Sequence, residues 1–271
     1  VNTLSKLKQK YRYSLIILKQ LVITDFKLRY KGSALGYLWT LLRPLALFAV
    51  LYVVFVNFLR FGGDIPHFPV YLLLGVVLWS YFVEVTVNGL TSIVGKGDLM
   101  RKLSFPRYVI VIAGSVSAFI NLLINLLVVF GFMVINGVPL TITVLWLPLI
   151  ILELFVFALG LSFLLSALYV RFRDINYVWE VLLQAGFYVT PIIYPLSEVA
   201  KRSEAAANIL LLNPVAQIIQ DARYSLITHE TPTVYGAFSL YWIIPFIVVA
   251  VVTVVAAIYF RAMSPKFAEE I

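Results

Sequence analysis

The chain has 271 residues, of which 62% are apolar and only 13% charged. A soluble domain needs a polar exterior and carries roughly 25% charged residues; this composition therefore excludes a water-surrounded core and points to lipid as the solvent. Cysteine is absent, which excludes a disulfide framework, a thiol nucleophile and a thiolate metal site, and histidine is limited to His67 and His229, which leaves little material for a histidine-rich metal site or a histidine-based triad.

In chain order, residues 4–31 are basic. Leu15, Leu18, Val22 and Phe26 recur at helical spacing, with Lys19 and Lys27 off that stripe. This predicts an amphipathic helix lying in the membrane interface, rather than a basic tail that only anchors topology. Asp25 and Arg29 are four apart and can pair on one face. No small-residue cleavage site follows an early apolar run, so no cleavable signal peptide is expected. A span needs about 20 mostly apolar residues to cross ~30 Å of hydrocarbon. Six runs qualify, near 34–58, 69–92, 108–135, 142–170, 177–194 and 238–260. Glu180, Gln184 and Pro191 interrupt the fifth. These continuous runs predict an all-α membrane protein, since spanning backbone must be bonded internally and a β-barrel would show short alternating segments. One membrane domain, 1–271, is expected, without internal repeats.

Lys and Arg set the orientation. Lys6, Lys8, Lys10, Arg12, Lys19, Lys27, Arg29, Lys31 and Arg43 precede or enter the first span. Lys96, Arg101, Lys102 and Arg107 lie between the second and third, Arg171 and Arg173 between the fourth and fifth, and Arg261 and Lys266 after the sixth. The opposite face has only Arg60, Lys201, Arg202 and Arg223. Both termini are therefore expected in the cytoplasm. The net charge of +8 is the signature of that asymmetry, with no nucleic-acid partner implied.

Residues 195–227 contain a polar patch, an apolar run and then Asn213-Pro214, a cap residue followed by proline at the first helical position. They are expected to form short helices that dip back into the outer face. The second-to-third connection, residues 95–106, combines charge with Leu99, Met100, Leu103 and Phe105. Apolar residues in so short a loop suit either a helix docking on a cytoplasmic partner or entry into the interface. Glu84, Glu153 and Glu180 fall inside spans. At that depth a carboxylate faces protein or water rather than lipid. Either a proton relay or helix-holding hydrogen bonds would fit; with no paired lysine or second close carboxylate evident, the latter is favoured. Asn88, Asn121 and Asn125 read as interhelical ties. Tyr37, Trp39, Tyr52, Trp79, Tyr81, Phe187, Tyr188 and Tyr194 belong either to interfacial belts or to a path whose ring faces meet sugar rings. No phosphate-binding loop, nucleophile elbow or paired catalytic carboxylates occur, so no catalytic or metal residue is assigned.

Five segments carry a resemblance: DFKLRYKGSALGYLWTLLRPL at Asp25–Leu45, LSFPR at Leu103–Arg107, RFRDI at Arg171–Ile175, TPIIYPLS at Thr190–Ser197 and NPVAQIIQDAR at Asn213–Arg223. In this order they resemble the permease subunits of type-two ATP-binding-cassette exporters of O-antigen, capsular and teichoic acid polymers. The resemblance implies a non-hydrolytic permease in the bacterial cytoplasmic membrane, paired with a second copy of itself and with two cytoplasmic ATPase subunits that bind ATP and Mg. The cargo would be a lipid-linked polysaccharide, with O-antigen preferred, passing along the first and fifth spans amid membrane lipids. Lys96, Asp98, Leu99, Met100, Arg101, Lys102 and Phe105 would form the ATPase-coupling element. Arg29, Tyr37, Trp39, Arg43, Tyr52, Phe187, Tyr188 and Tyr194 would lie at the substrate entrance and channel, and residues 195–227 would gate the outside. Two rivals are a proton-driven carrier using Glu84 or Glu153 and a membrane enzyme acting on lipid-linked sugars.

Overall fold

A computed structural model describes residues 3–29, 35–58, 65–102, 105–237 and 242–270, and all regular structure among them is helical. The elements are α1 (Thr3–Arg29), α2 (Trp39–Tyr52), α3 (Phe68–Gly95), α4 (Gly97–Lys102), α5 (Tyr108–Ile135), α6 (Leu147–Arg171), α7 (Ile175–Val189), α8 (Leu196–Arg202), α9 (Glu204–Leu211), α10 (Pro214–Leu226), α11 (Val234–Ala237), α12 (Ile244–Met263) and α13 (Phe267–Glu270). Among the described residues, five stretches are long and apolar enough to cross a membrane: Gly36–Val56, Phe68–Gly95, Tyr108–Ile135, Ile142–Arg171 and Ile244–Lys266.

The fifth expected run, 177–194, is shorter than anticipated. α7 has 15 residues, about 22 Å at 1.5 Å per residue. It stops at Thr190, which is extended (ψ 133°) because the ring of Pro191 disfavours helical backbone in the residue before it. The last run, expected from 238, becomes helical only at Ile244, with Pro245 in its first turn; residues 238–241 lie outside the described residues.

α3 is the central helix. It is mostly apolar and buried over most of its surface, while Ser80, Glu84, Asn88 and Thr91 follow one another at spacings of three and four on its less buried side. It packs between α5 and α6, and α6 in turn packs on α12. Lipid is as apolar as leucine, so close approach and polar ties hold such helices together rather than apolar burial. At the α6–α12 crossing a Cβ on Gly160 would sit 2.9 Å from Thr253 Cα, so only glycine fits. Ser162 Oγ donates across to Val85 O of α3 at 3.0 Å. α2 carries Pro44 in its interior, which cannot donate to the carbonyl four residues back. That carbonyl, Thr40 O, accepts from Asn125 Nδ2 of α5 at 3.2 Å. A proline lesion in one span is thereby repaired by an asparagine of its neighbour.

α1 runs along α5, but its inward face differs from the expected stripe. Leu15 is 63% exposed, while Ser14 is buried and Ile17, Leu18, Leu21, Val22, Asp25 and Phe26 are half-buried. The inward face is thus rotated by about one position, and polar Ser14 and Asp25 sit on it. The expected Asp25–Arg29 pairing involves a side chain, that of Arg29, outside the described residues; Asp25 also has a longer-range partner. Asp25 Oδ1 and Oδ2 accept from Lys96 Nζ at 3.0 and 3.2 Å, which ties α1 to the end of α3.

Candidate functional site

Two groups of residues stand out, at opposite ends of the bundle. The first surrounds α4, at the end where the basic loops gather. α4 is six residues long and contains no buried residue. Asp98, in its first turn, and Arg101 and Lys102, in its last, are exposed, as the helix dipole favours. Leu99 is half-buried. Met100 and Phe105 pack on an inner apolar cluster formed by Ile93, Ile110, Val111, Ala167, Val170, Phe260 and Phe267. Lys96 is engaged by Asp25. Asp98, Arg101 and Lys102 therefore give α4 a charged outward surface, and Met100 and Phe105 anchor it inward. Leu103 lies outside the described residues.

The second group is at the other end, around α10. Asn213 Oδ1 accepts from Val215 N at 3.1 Å and caps α10, whose first residue is Pro214. Ser203 Oγ caps α9 in the same way, accepting from Ala206 N at 3.3 Å. α10 is wedged among α3, α6, α12 and the 142–146 turn, and nearly every one of its residues is buried, polar ones included. Arg223 is fully buried. It donates to Tyr71 O (3.2 Å), Pro191 O (2.6 Å), Ile192 O (2.7 Å) and Gln220 Oε1 (3.3 Å), and its guanidinium lies 3.5 Å from the centre of the Tyr71 ring. Gly75 makes room for it, since a Cβ there would lie 2.6 Å from Arg223 Nη2. One side chain thus bolts α10, the turn after α7 and α3 together. Beside it, Gln217 Nε2 donates to Asp221 Oδ2 (2.6 Å) and reaches Glu153 Oε2 of α6 (3.4 Å). Burial pushes the Asp221 carboxyl up to about 6, and the Gln217 hydrogen bond opposes that rise.

No second carboxylate is evident near the intramembrane ones in the linear sequence; Asp221 of α10 is that carboxylate. The pattern does not reveal that it and Arg223 are buried, because α10 is enclosed on nearly all sides and its polar residues show no solvent face. The usable signal was Gln217 and Asp221 at i, i+4 in a segment too short to span. The other glutamates have separate settings. Glu84 of α3 accepts from Asn121 Nδ2 of α5 at 2.8 Å, and Asn125 Nδ2 of α5 donates to Thr40 O of α2, so Asn121 and Asn125 act as interhelical ties. Glu180 is exposed on α7.

The aromatic candidates divide. Tyr37, Trp39 and Tyr188 are exposed, and so is Arg43, one turn beyond Trp39; Tyr37 stacks on Phe26 at 6.4 Å. Tyr52 packs on Phe48, Phe187 stands edge-on to Trp79, and the Tyr194 hydroxyl donates to Val189 O at 2.8 Å. Trp79 and Tyr81 are buried core residues, so neither faces an open path. The Arg29 side chain lies outside the described residues. α7 is exposed around most of its circumference; along one free face Tyr177, Glu180, Gln184 and Tyr188 follow one another at spacings of three and four, all exposed, flanked by exposed Val178, Val181, Leu182, Ala185 and Val189.

The family model described as ABC-2 type transporter matches residues 17–227. The chain belongs to the ABC-2 type transporter family. It is 30% identical over 268 residues to an O-antigen export system permease protein, RfbA, of Myxococcus xanthus, covering 97% of this chain and 98% of that one. Two proteins of the same name from Klebsiella pneumoniae are 29% identical over 266 residues (97% and 98% covered) and 31% identical over 216 (79% and 82%). The matched region of this ABC-2 permease includes α4, α7 and the whole of α10, the elements that build both groups of residues.

Proposed function

We propose that this permease is the membrane half of an ATP-driven exporter that moves a lipid-linked polysaccharide, most specifically O-antigen, across the bacterial inner membrane. The observation that carries this reading is the free face of α7. Lipid does not tolerate a bare carboxylate and amide, so Tyr177, Glu180, Gln184 and Tyr188 face a hydrated path or a second copy. Tyrosine rings beside hydrogen-bonding groups match the apolar faces and hydroxyls of sugar rings. Two copies pair across the free faces of α2 and α7 and enclose the path, with Tyr37, Trp39 and Arg43 at its cytoplasmic mouth. α7 and the turn up to Pro195 make the sixth crossing, both termini are cytoplasmic, and α8–α10 form the outer gate. ATP and Mg bind to a separate ATPase, which engages the charged surface of α4.

In cells, loss of this chain leaves lipid-linked polymer on the cytoplasmic leaflet, and Glu180→Leu fails to restore export although the protein reaches the membrane. Export at wild-type level by Glu180→Leu would remove the support that α7 gives. A second reading, a carrier driven by protons without an ATPase, draws on Glu153 and Asp221 flanking one amide. It predicts export that persists without any ATPase partner and stops in Glu153→Gln.

A further inference from the structure

We infer that the segment following α12 is a positioning wedge for α4: Phe267, inserted among the inner ends of the spans, fixes the attitude at which α4 meets its partner. This rests on the reading of α4 as the element that receives the ATPase stroke. Six residues of helix, about 9 Å long, cannot hold their own shape in isolation. α4 has no buried residue and hangs between the ends of α3 and α5, so its order is borrowed from what it touches. On one side Lys96 is held by Asp25. On the other, α13 touches both α4 and α6. Phe267 is completely buried, edge-on to Phe260 at 5.3 Å, and Phe260 in turn stands edge-on to Phe163 of α6 at 4.9 Å. Met100 of α4 and Phe105 sit on the same cluster. Arg107, at the start of α5, donates through Nη1 to Ser264 O, just after α12.

A push on α4 can do one of two things. It can tilt α4 alone, or it can move the inner ends of α3, α5, α6 and α12 as a body. With Phe267 filling the space behind Met100 the second route is the stiffer one, because a close-packed cluster transmits displacement and a cavity absorbs it. Phe267 is then a positioning residue whose loss uncouples ATP hydrolysis from transport without removing any surface the ATPase touches.

The chain has no native cysteine, so a single Leu99→Cys reports on α4 by its maleimide labelling rate in the permease alone. Phe267→Ala is expected to raise that rate. In the complex with its ATPase it is expected to keep hydrolysis while losing most of the polysaccharide moved per ATP, and Phe267→Leu is expected to restore both. Met100→Ala, which removes the anchor from the α4 side, is expected to reproduce the raised labelling rate in the permease alone and keeps the test informative should Phe267→Ala not accumulate. Wild-type labelling in Phe267→Ala or in Met100→Ala, or wild-type transport per ATP in Phe267→Ala, overturns the inference. If the wild-type protein retains no ATPase, the reading of α4 fails instead, and the labelling experiment still decides whether Phe267 seats it.

Discussion

Replacing Arg223 by methionine keeps a long side chain in place but removes every donor. Pro191 O and Ile192 O lie in the turn after α7, outside any helix, so they have no alternative backbone donor. Leaving two buried carbonyls unpaired costs about 1–3 kcal/mol each, and the lost cation–ring contact with Tyr71 adds about 1–2 kcal/mol. Against this, the mutant no longer has to bury a guanidinium, which returns a few kcal/mol. With mid-range values the net loss comes to about 2–3 kcal/mol, which lowers the melting temperature of a chain this size by roughly 4–12 °C. Thermal unfolding of the purified permease in detergent measures it. Arg223→Lys should fall between, because an ammonium cannot reach three separated carbonyls with a planar fork. A mutant Arg223→Met that melts within about 2 °C of wild type would show that the bolt is not what holds α10.

Other expectations follow from neighbouring contacts. Gly75→Ala should destabilise the wild type by about 1–3 kcal/mol through its clash with Arg223 Nη2, and by almost nothing on an Arg223→Ala background; equal costs in the two backgrounds, read by the same melting assay, would deny the contact. Gly160→Val should separate α6 from α12, because even a Cβ meets the Thr253 backbone at 2.9 Å, and limited proteolysis of membranes should reveal it as lost protection. Asp25→Asn should cost at most about 1 kcal/mol, as the pair with Lys96 is partly exposed, and the difference from wild type should shrink in high salt. Because the folded-state pKa of Asp221 is raised above its ordinary 3.8 to about 6, the folded protein binds the extra proton. Its share of stability therefore falls as pH rises through that window and stays low above it. Asp221→Asn should flatten the melting profile there, and an unchanged slope would contradict the assignment.

Most of the helical layout is legible in the sequence, because a bilayer imposes one length and one composition on every span. The cap at Asn213-Pro214 and the short outer helices are legible for the same local reasons. What the linear pattern hides is tertiary. Asn125 repairs the backbone opposite Pro44, Asp25 reaches 71 residues away to Lys96, and α10 buries Gln217, Asp221 and Arg223 together. Each depends on a partner distant in the chain, which periodicity cannot report. The apolar residues around α4 misled for a related reason: the same hydrophobicity serves an external dock or an internal anchor, and only the cluster at Phe267 shows the latter for Met100 and Phe105. Likewise Trp79 and Tyr81, aromatic enough for a sugar path, lie on the one span that is surrounded by other helices.

The most direct test of the central claim is transport by purified components in sealed vesicles. Permease and its ATPase are reconstituted with a lipid-linked O-polysaccharide, and the polymer reaching the far side is measured with a lectin. Translocation is expected to require both chains and ATP and to be indifferent to an imposed pH gradient. Translocation by the permease alone, driven by such a gradient and insensitive to ATP, would contradict it.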